Sequence, residues 1–229
     1  MTATSDDEAD WARRIGYTDG LTSADPSERA IALAHLTAAR ERVNEALDRF
    51  NEGWFQAQSL DRLPEWYREP ESRRLTAAHS EAQRHAYPDA LWHRPHGPLI
   101  DWPGLPYALR YLEWEARFPR EWTLHAKKWG TKQDLIRDLA RDGHREPLRA
   151  RLVQLVTAAV SRAYRCKDRE YVRIARAVDG DDLRAALTTA ADSDNPWARL
   201  HAGYVLRLLD DPALPNSRRT WRIWCEHLA

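Results

Sequence analysis

Helix punctuation, with no strand signal set against it, most limits what this chain can fold into. No stretch alternates apolar and polar residues over six positions with β-branched enrichment, so no strand is expected. Asp25-Pro26-Ser27-Glu28 instead places an N-cap acid, a proline at the first helical position and a glutamate two residues further on. Leu33, Leu36, Val43, Leu47 and Phe50 follow at helical spacing, and Gly53 is expected to close that helix. Helices are also expected over 71–87 and 103–118, and from Pro119 through Trp129, where Gly130 would end the last of them. Thr131-Lys132-Gln133-Asp134 reads as a capping box for a helix ended by Gly143. Pro147 starts a long helix with Leu148, Leu152, Leu155, Val156, Ala159, Val160 and Ala163 inward. That helix either continues through Tyr171, Ile174 and Val178 or breaks at Asp168. Three more helices are expected near 182–191, 196–210 and 216–228.

The expectation is an all-α protein of eight or nine helices, an irregular bundle or a helical-repeat stack. Its 229 residues read as a single all-α domain. A sub-boundary at 88–106, where five prolines fall, would separate an acidic helical part, 1–87, from a repeat-like part, 107–229. No run of about 18 apolar residues is present, so no membrane association is expected. The acidic N-terminus is unlike a secretory signal, and the two cysteines, Cys166 and Cys225, form no C-x-x-C pair. A cytoplasmic location is the expectation, with no cofactor.

Residues 181–212 resemble a HEAT-type helical repeat. The turn is Asp192-Ser193-Asp194-Asn195-Pro196, and the second helix carries Arg199 followed by small and apolar residues through Leu209. Leu183, Ala186, Leu187 and Ala190 would form the inner face of the first helix. Gly203-Tyr204-Val205-Leu206-Arg207 is similar to a late repeat of the HEAT-like alkylpurine DNA glycosylases, which have tryptophan in place of Tyr204. That family also places a tryptophan four residues before its catalytic aspartate, and this chain contains no Trp-x-x-x-Asp.

Net charge is zero, yet it is unevenly spread. Residues 1–109 carry 12 basic and 18 acidic side chains, whereas residues 110–176 carry 17 and 9. Only four of the 35 basic residues are lysine, so most positive charge is guanidinium, which pairs bidentately with carboxylate or phosphate. If 160–178 form one helix, Arg162, Arg165, Arg169, Arg173 and Arg176 share an arc of about 80° without an intervening acid. Such a stripe is either a solvated or internally neutralised face or, with Lys127, Lys128 and Lys132, an anion- or partner-binding surface.

Eleven tryptophans are many for this length, and five fall between 92 and 129. Trp102, Tyr107, Tyr111 and Trp114, with His93 and His96, either fill the core or line a ligand pocket. The histidines at 79, 85, 93 and 96 lack metal-ligand spacing, so no metal site is expected. No Gly-rich phosphate loop, G-x-S-x-G or paired-carboxylate motif occurs. The functional expectation is a binding or scaffold protein with a protein partner foremost and nucleic acid second. The alternatives are a nucleic-acid-binding or glycosylase-type protein and an enzyme with its pocket in 79–129.

Overall fold

A computed structural model describes residues 7–59, 65–95, 99–141 and 145–227. Among these the chain is all-α, with eleven α-helices, three short 3-10 helices and no strand. It divides into two compact units, one of Met1–Arg94, Pro103–Trp114 and Phe118–Lys127, the other of Pro95–Trp102, Glu115–Arg117 and Lys128–Ala229. The division falls at several points along the chain.

The first unit opens with a helix that the sequence reading does not anticipate. This is α1 (Glu8–Ile15), capped by Asp7, whose Oδ1 accepts from the Asp10 amide at 2.9 Å. Asp10 is itself buried and binds Arg14 Nε at 2.7 Å, so Arg14 can lie in the core without an orphaned charge. A 3-10 segment, Gly16–Thr22, then packs on α2 (Pro26–Ser59). As expected for the start of α2, Asp25 Oδ1 accepts from the Ser27 amide at 2.8 Å.

Gly53 does not end α2. A Cβ there would collide with the Leu75 side chain, so this glycine gives room to α3 (Glu65–Arg84), which packs along α2. The 3-10 segment Asp89–His93, most of α4 (Leu105–Arg117) and α5 (Pro119–Ala126) complete the unit. Trp11, Leu36, Tyr87, Tyr111, Leu112, Trp114 and Trp122 form its buried centre.

The second unit contains α6 (Trp129–Leu139), α7 (Leu148–Val160), α8 (Tyr171–Ala177), α9 (Asp181–Ala191), α10 (Pro196–Asp210) and α11 (Arg218–Glu226). Helix α6 starts before the expected capping box. Thr131 is buried within it, and Gly130 is accommodated in the first turn, where the amides have no helical partner to lose. The expected terminator Gly143 lies outside the described residues.

Helix α9 packs on α10, and α7 packs on α8, α9 and α10. Their apolar stripes meet through Leu152, Val156, Ile174, Leu183, Leu187, Ala202, Val205 and Leu208, all buried. Arginines join helix ends. Arg149 binds Asp182 at 2.5 and 2.6 Å, linking α7 to α9. Arg176 donates to the Leu208 carbonyl at 3.1 Å, near the C-terminus of α10, where carbonyls lack intrahelical donors.

Between α7 and α8 the chain leaves helical conformation, so the alternative of one helix over 160–178 does not hold. Lys167 adopts the left-handed region, with φ 70°, before a 3-10 turn over Asp168–Glu170. Ala163, expected on the inner face, is exposed after the helix has ended.

Candidate functional site

The break after α7 is held by a buried charge cluster in the second unit. Glu115 and Lys132 have no side-chain exposure, and Lys132 Nζ lies 3.1 Å from Glu115 Oε2 and 2.5 Å from Asp168 Oδ1. Arg162 reaches both acids, with Nη2 2.7 Å from Glu115 Oε2 and Nη1 2.8 Å from Asp168 Oδ2. Arg165 Nε lies 2.7 Å from Glu115 Oε1, and its backbone amide donates to Asp168 Oδ2 at 2.7 Å. Burial alone would lower the Arg162 pKa, but Asp168 and Glu115 outweigh it and hold the guanidinium charged. Three cations thus meet two carboxylates, leaving one excess positive charge. Trp129 and Tyr171 each place a ring centroid 5.5 Å from Lys132 Nζ, so part of that charge faces π-electron density.

The single arginine stripe is therefore corrected. Arg162 and Arg165 turn inward to this cluster, Arg173 pairs with Glu170 at 2.8 Å, and Arg176 binds main-chain carbonyls. Lys132, expected with Lys127 and Lys128 on a basic surface, is buried because two carboxylates surround its ammonium group. Lys127 is exposed at the end of the first unit, and Lys128 is half-buried at the start of a segment of the second.

Arg169 has a different environment. Among the described residues its guanidinium makes no hydrogen bond or ion pair, and it lines a pocket. Its backbone is fixed, since the Asn216 side-chain amide donates to the Arg169 carbonyl at 2.6 Å.

That pocket encloses about 40 Å³ and opens to solvent, and its walls come from the end of α7, the irregular 161–170 segment, α8, α10 and α11. Tyr164, Tyr171, Tyr204 and Trp221 supply aromatic walls, and Asp168 joins the pocket to the charge cluster. Tyr204 and Trp221 meet edge to face with centroids 4.8 Å apart, which sets the angle of that wall.

His201 also lines the pocket, with only 8% of its surface exposed. Its Nδ1 lies 3.3 Å from the Val160 carbonyl oxygen. Nε2 is buried and has no hydrogen-bond partner among the described residues. Burial pushes the imidazole pKa below its ordinary 6.5, against the upward pull of the Val160 and Arg162 carbonyls and of Asp168. Trp197 stacks on the ring at 6.0 Å and Tyr164 meets it edge-on at 6.4 Å, and each of the two is 47% exposed.

The aromatic residues of 79–129 were expected either to fill the core or to line a pocket. Tyr107, Tyr111 and Trp114 lie in the core of the first unit. Tyr107 stacks on Trp11 at 5.6 Å, and Tyr111 packs edge-on against Tyr87 at 5.6 Å. These rings are buried against their neighbours between the helices. Trp102 is buried in the second unit, His93 is exposed, and His96 lies outside the described residues.

The sequence reading missed Glu115, Tyr164, Asp168, His201, Tyr204 and Trp221. One signal could have found His201: Ala198, His201, Ala202 and Val205 share a helical face, on which the imidazole is the one polar group. Among the described residues no group of three His, Cys, Asp or Glu side chains could hold a metal ion. No helix of the described residues is long and apolar enough to cross a membrane.

No protein family, curated protein or solved structure matches the chain.

Proposed function

We propose that the chain is a binding protein for an anionic aromatic group, taken up in the second unit's pocket with Arg169 as the anion contact. The carrying observation is that Arg169 alone among the five stripe arginines lines an aromatic pocket and makes no internal pair among the described residues. The excess positive charge beyond Asp168 favours an anion at the same place. Four aromatic walls favour a flat, apolar body. The reading replaces a row of phosphate contacts with one anion contact, because Arg162, Arg165, Arg173 and Arg176 already have partners within the protein. The HEAT-like sequence of α9 and α10 fits a binding role, since helical-repeat faces commonly serve as recognition surfaces.

Calorimetric titration with naphthalene-2-carboxylate, and with neutral 2-naphthamide as control, tests the reading. The carboxylate binds saturably and more tightly than the amide, and Arg169→Gln weakens it by about tenfold or more. Absence of saturable binding, or binding indifferent to Arg169→Gln, overturns the assignment.

A further inference from the structure

We propose that the outward face of α11 is a docking surface for an acidic segment of a partner protein, taken up in extended conformation. Trp221 and Trp224 fix which face is outward. Trp221 meets Tyr204 edge to face at 4.8 Å, and Trp224 donates its indole N–H to the Leu200 carbonyl at 3.1 Å. The Trp224 ring also closes on Gly203, where a Cβ would meet it at 2.9 Å. At about 100° per residue, Arg219, Arg222 and Ile223 fall on the opposite side of α11 and Arg218 at the edge of that side. All four are exposed, and among the described residues the three guanidinium groups make no hydrogen bond or ion pair. Arg218 and Arg222 stand four residues apart, a like-charge pair that works against a helix. The one acid of α11, Glu226, sits at its far end and pairs with none of them among the described residues. Helix α11 thus carries the row of unpaired guanidinium groups that 160–178 does not.

Spacing and composition select the partner. Arg218 and Arg222 lie about 6 Å apart along the helix axis, close to the roughly 6.6 Å between alternate residues on one side of an extended chain. Two carboxylates at alternate positions can therefore each meet one guanidinium, in the forked geometry that arginine favours. Ile223 follows Arg222 directly and is 37% exposed, so an apolar residue beside the second acid would cover it. Glu226 lies beyond Ile223 and repels a third acid there, which keeps the acids of the segment towards the start of α11. A nucleic acid fits this face less well. A row about 6 Å long meets one or two phosphates, too few to hold a strand at physiological salt, and a phosphate backbone offers Ile223 nothing apolar.

Selection of a random peptide library on the intact chain tests the proposal. Peptides with acids at alternate positions beside an apolar residue are enriched, and the most enriched of them binds saturably in an anisotropy titration. Arg218→Glu combined with Arg222→Glu weakens that peptide by about tenfold or more, Ile223→Ser weakens it less, and added salt weakens it in the wild type. Arg117→Glu combined with Arg120→Glu makes the same charge change at exposed arginines elsewhere and leaves the affinity unchanged. Circular dichroism checks that the variants fold, and Arg222→Gln alone serves if the double reversal does not. Enrichment without acids, or affinity indifferent to the α11 variants, overturns the proposal. An oligothymidylate strand that binds more tightly than any selected peptide at physiological salt, and loses that binding in the same variants, overturns it in favour of nucleic acid.

Discussion

Lys132 and Asp168 lie 2.5 Å apart, nitrogen to oxygen, and no part of the lysine side chain reaches solvent. This pair joins α6 to the irregular segment that precedes α8, and Asp168 also forms part of the pocket wall. The same carboxylate accepts from Arg162 and from the Arg165 amide, so the loop conformation and the pocket wall share one anchor.

Neutralising the two partners is expected to have unequal effects. Asp168→Asn leaves three buried cations with one carboxylate, and should destabilise the protein by about 3–5 kcal/mol. Lys132→Met leaves two guanidinium groups matched by two carboxylates, and should cost about 1 kcal/mol or less. Urea denaturation of both variants measures the difference, and equal losses would contradict this account of the cluster.

Glu170 predicts an acid-dependent loss of stability. Burial would raise its pKa, but hydrogen bonds from Arg137, Gln133 and Arg173 outweigh burial and hold it at about 2, below its ordinary 4.5. A depressed carboxylate stabilises the folded state above the ordinary pKa, and that contribution disappears as pH falls from 4.5 towards 2. Glu170→Gln should lower Tm at pH 7, and its deficit relative to wild type should shrink across that interval. Thermal melts at pH 7, 4 and 2.5 report it.

Gly20 holds the 3-10 segment against α2. A Cβ at this position would meet the Glu28 carbonyl oxygen at 2.9 Å and Ala32 Cβ at 3.0 Å. The nearest atom is helix backbone, which cannot rotate away, so Gly20→Ala should destabilise the protein by about 1–3 kcal/mol. Gly16→Ala serves as control, because its Cβ would meet nothing within 4 Å. Chemical denaturation should separate the two variants.

Asn195 joins two helices with one side chain. Its Oδ1 accepts from the Trp197 amide at 3.1 Å and caps α10, and its Nδ2 donates to the Ser161 carbonyl at 2.6 Å, just past α7. Asn195→Ala removes both and should cost about 2 kcal/mol. Asn195→Asp keeps the cap but sets a carboxylate against a carbonyl, and should recover only part of that loss. Urea midpoints of the two variants give the comparison.

The helical class was legible in the sequence because its signals are local. Pro26, Pro119 and Pro196 each begin a helix, and Asp25 caps the helix it was expected to cap. Local signals failed where a distant neighbour supplied the reason. Gly53 looked like a terminator because a glycine at a helix end and one making room for Leu75 are the same letter. Thr131 matched a capping box, yet the helix begins at Trp129 and buries it.

The candidate site lay further beyond local reading. Nothing in Ser161-Arg162-Ala163-Tyr164-Arg165-Cys166-Lys167 forbids a helix, and a helix there would have displayed five arginines on one face. Burial of Glu115 and Lys132 decided otherwise. Their charges needed partners within a few ångströms, and Arg162, Arg165 and Asp168 could supply them only if the chain left helical conformation. The sequence by itself determined the helices, through periodicity and caps that act over three or four residues. Only the tertiary structure decided which arginines turn inward and that His201 would face a pocket, because electrostatic pairing and burial depend on distance in space.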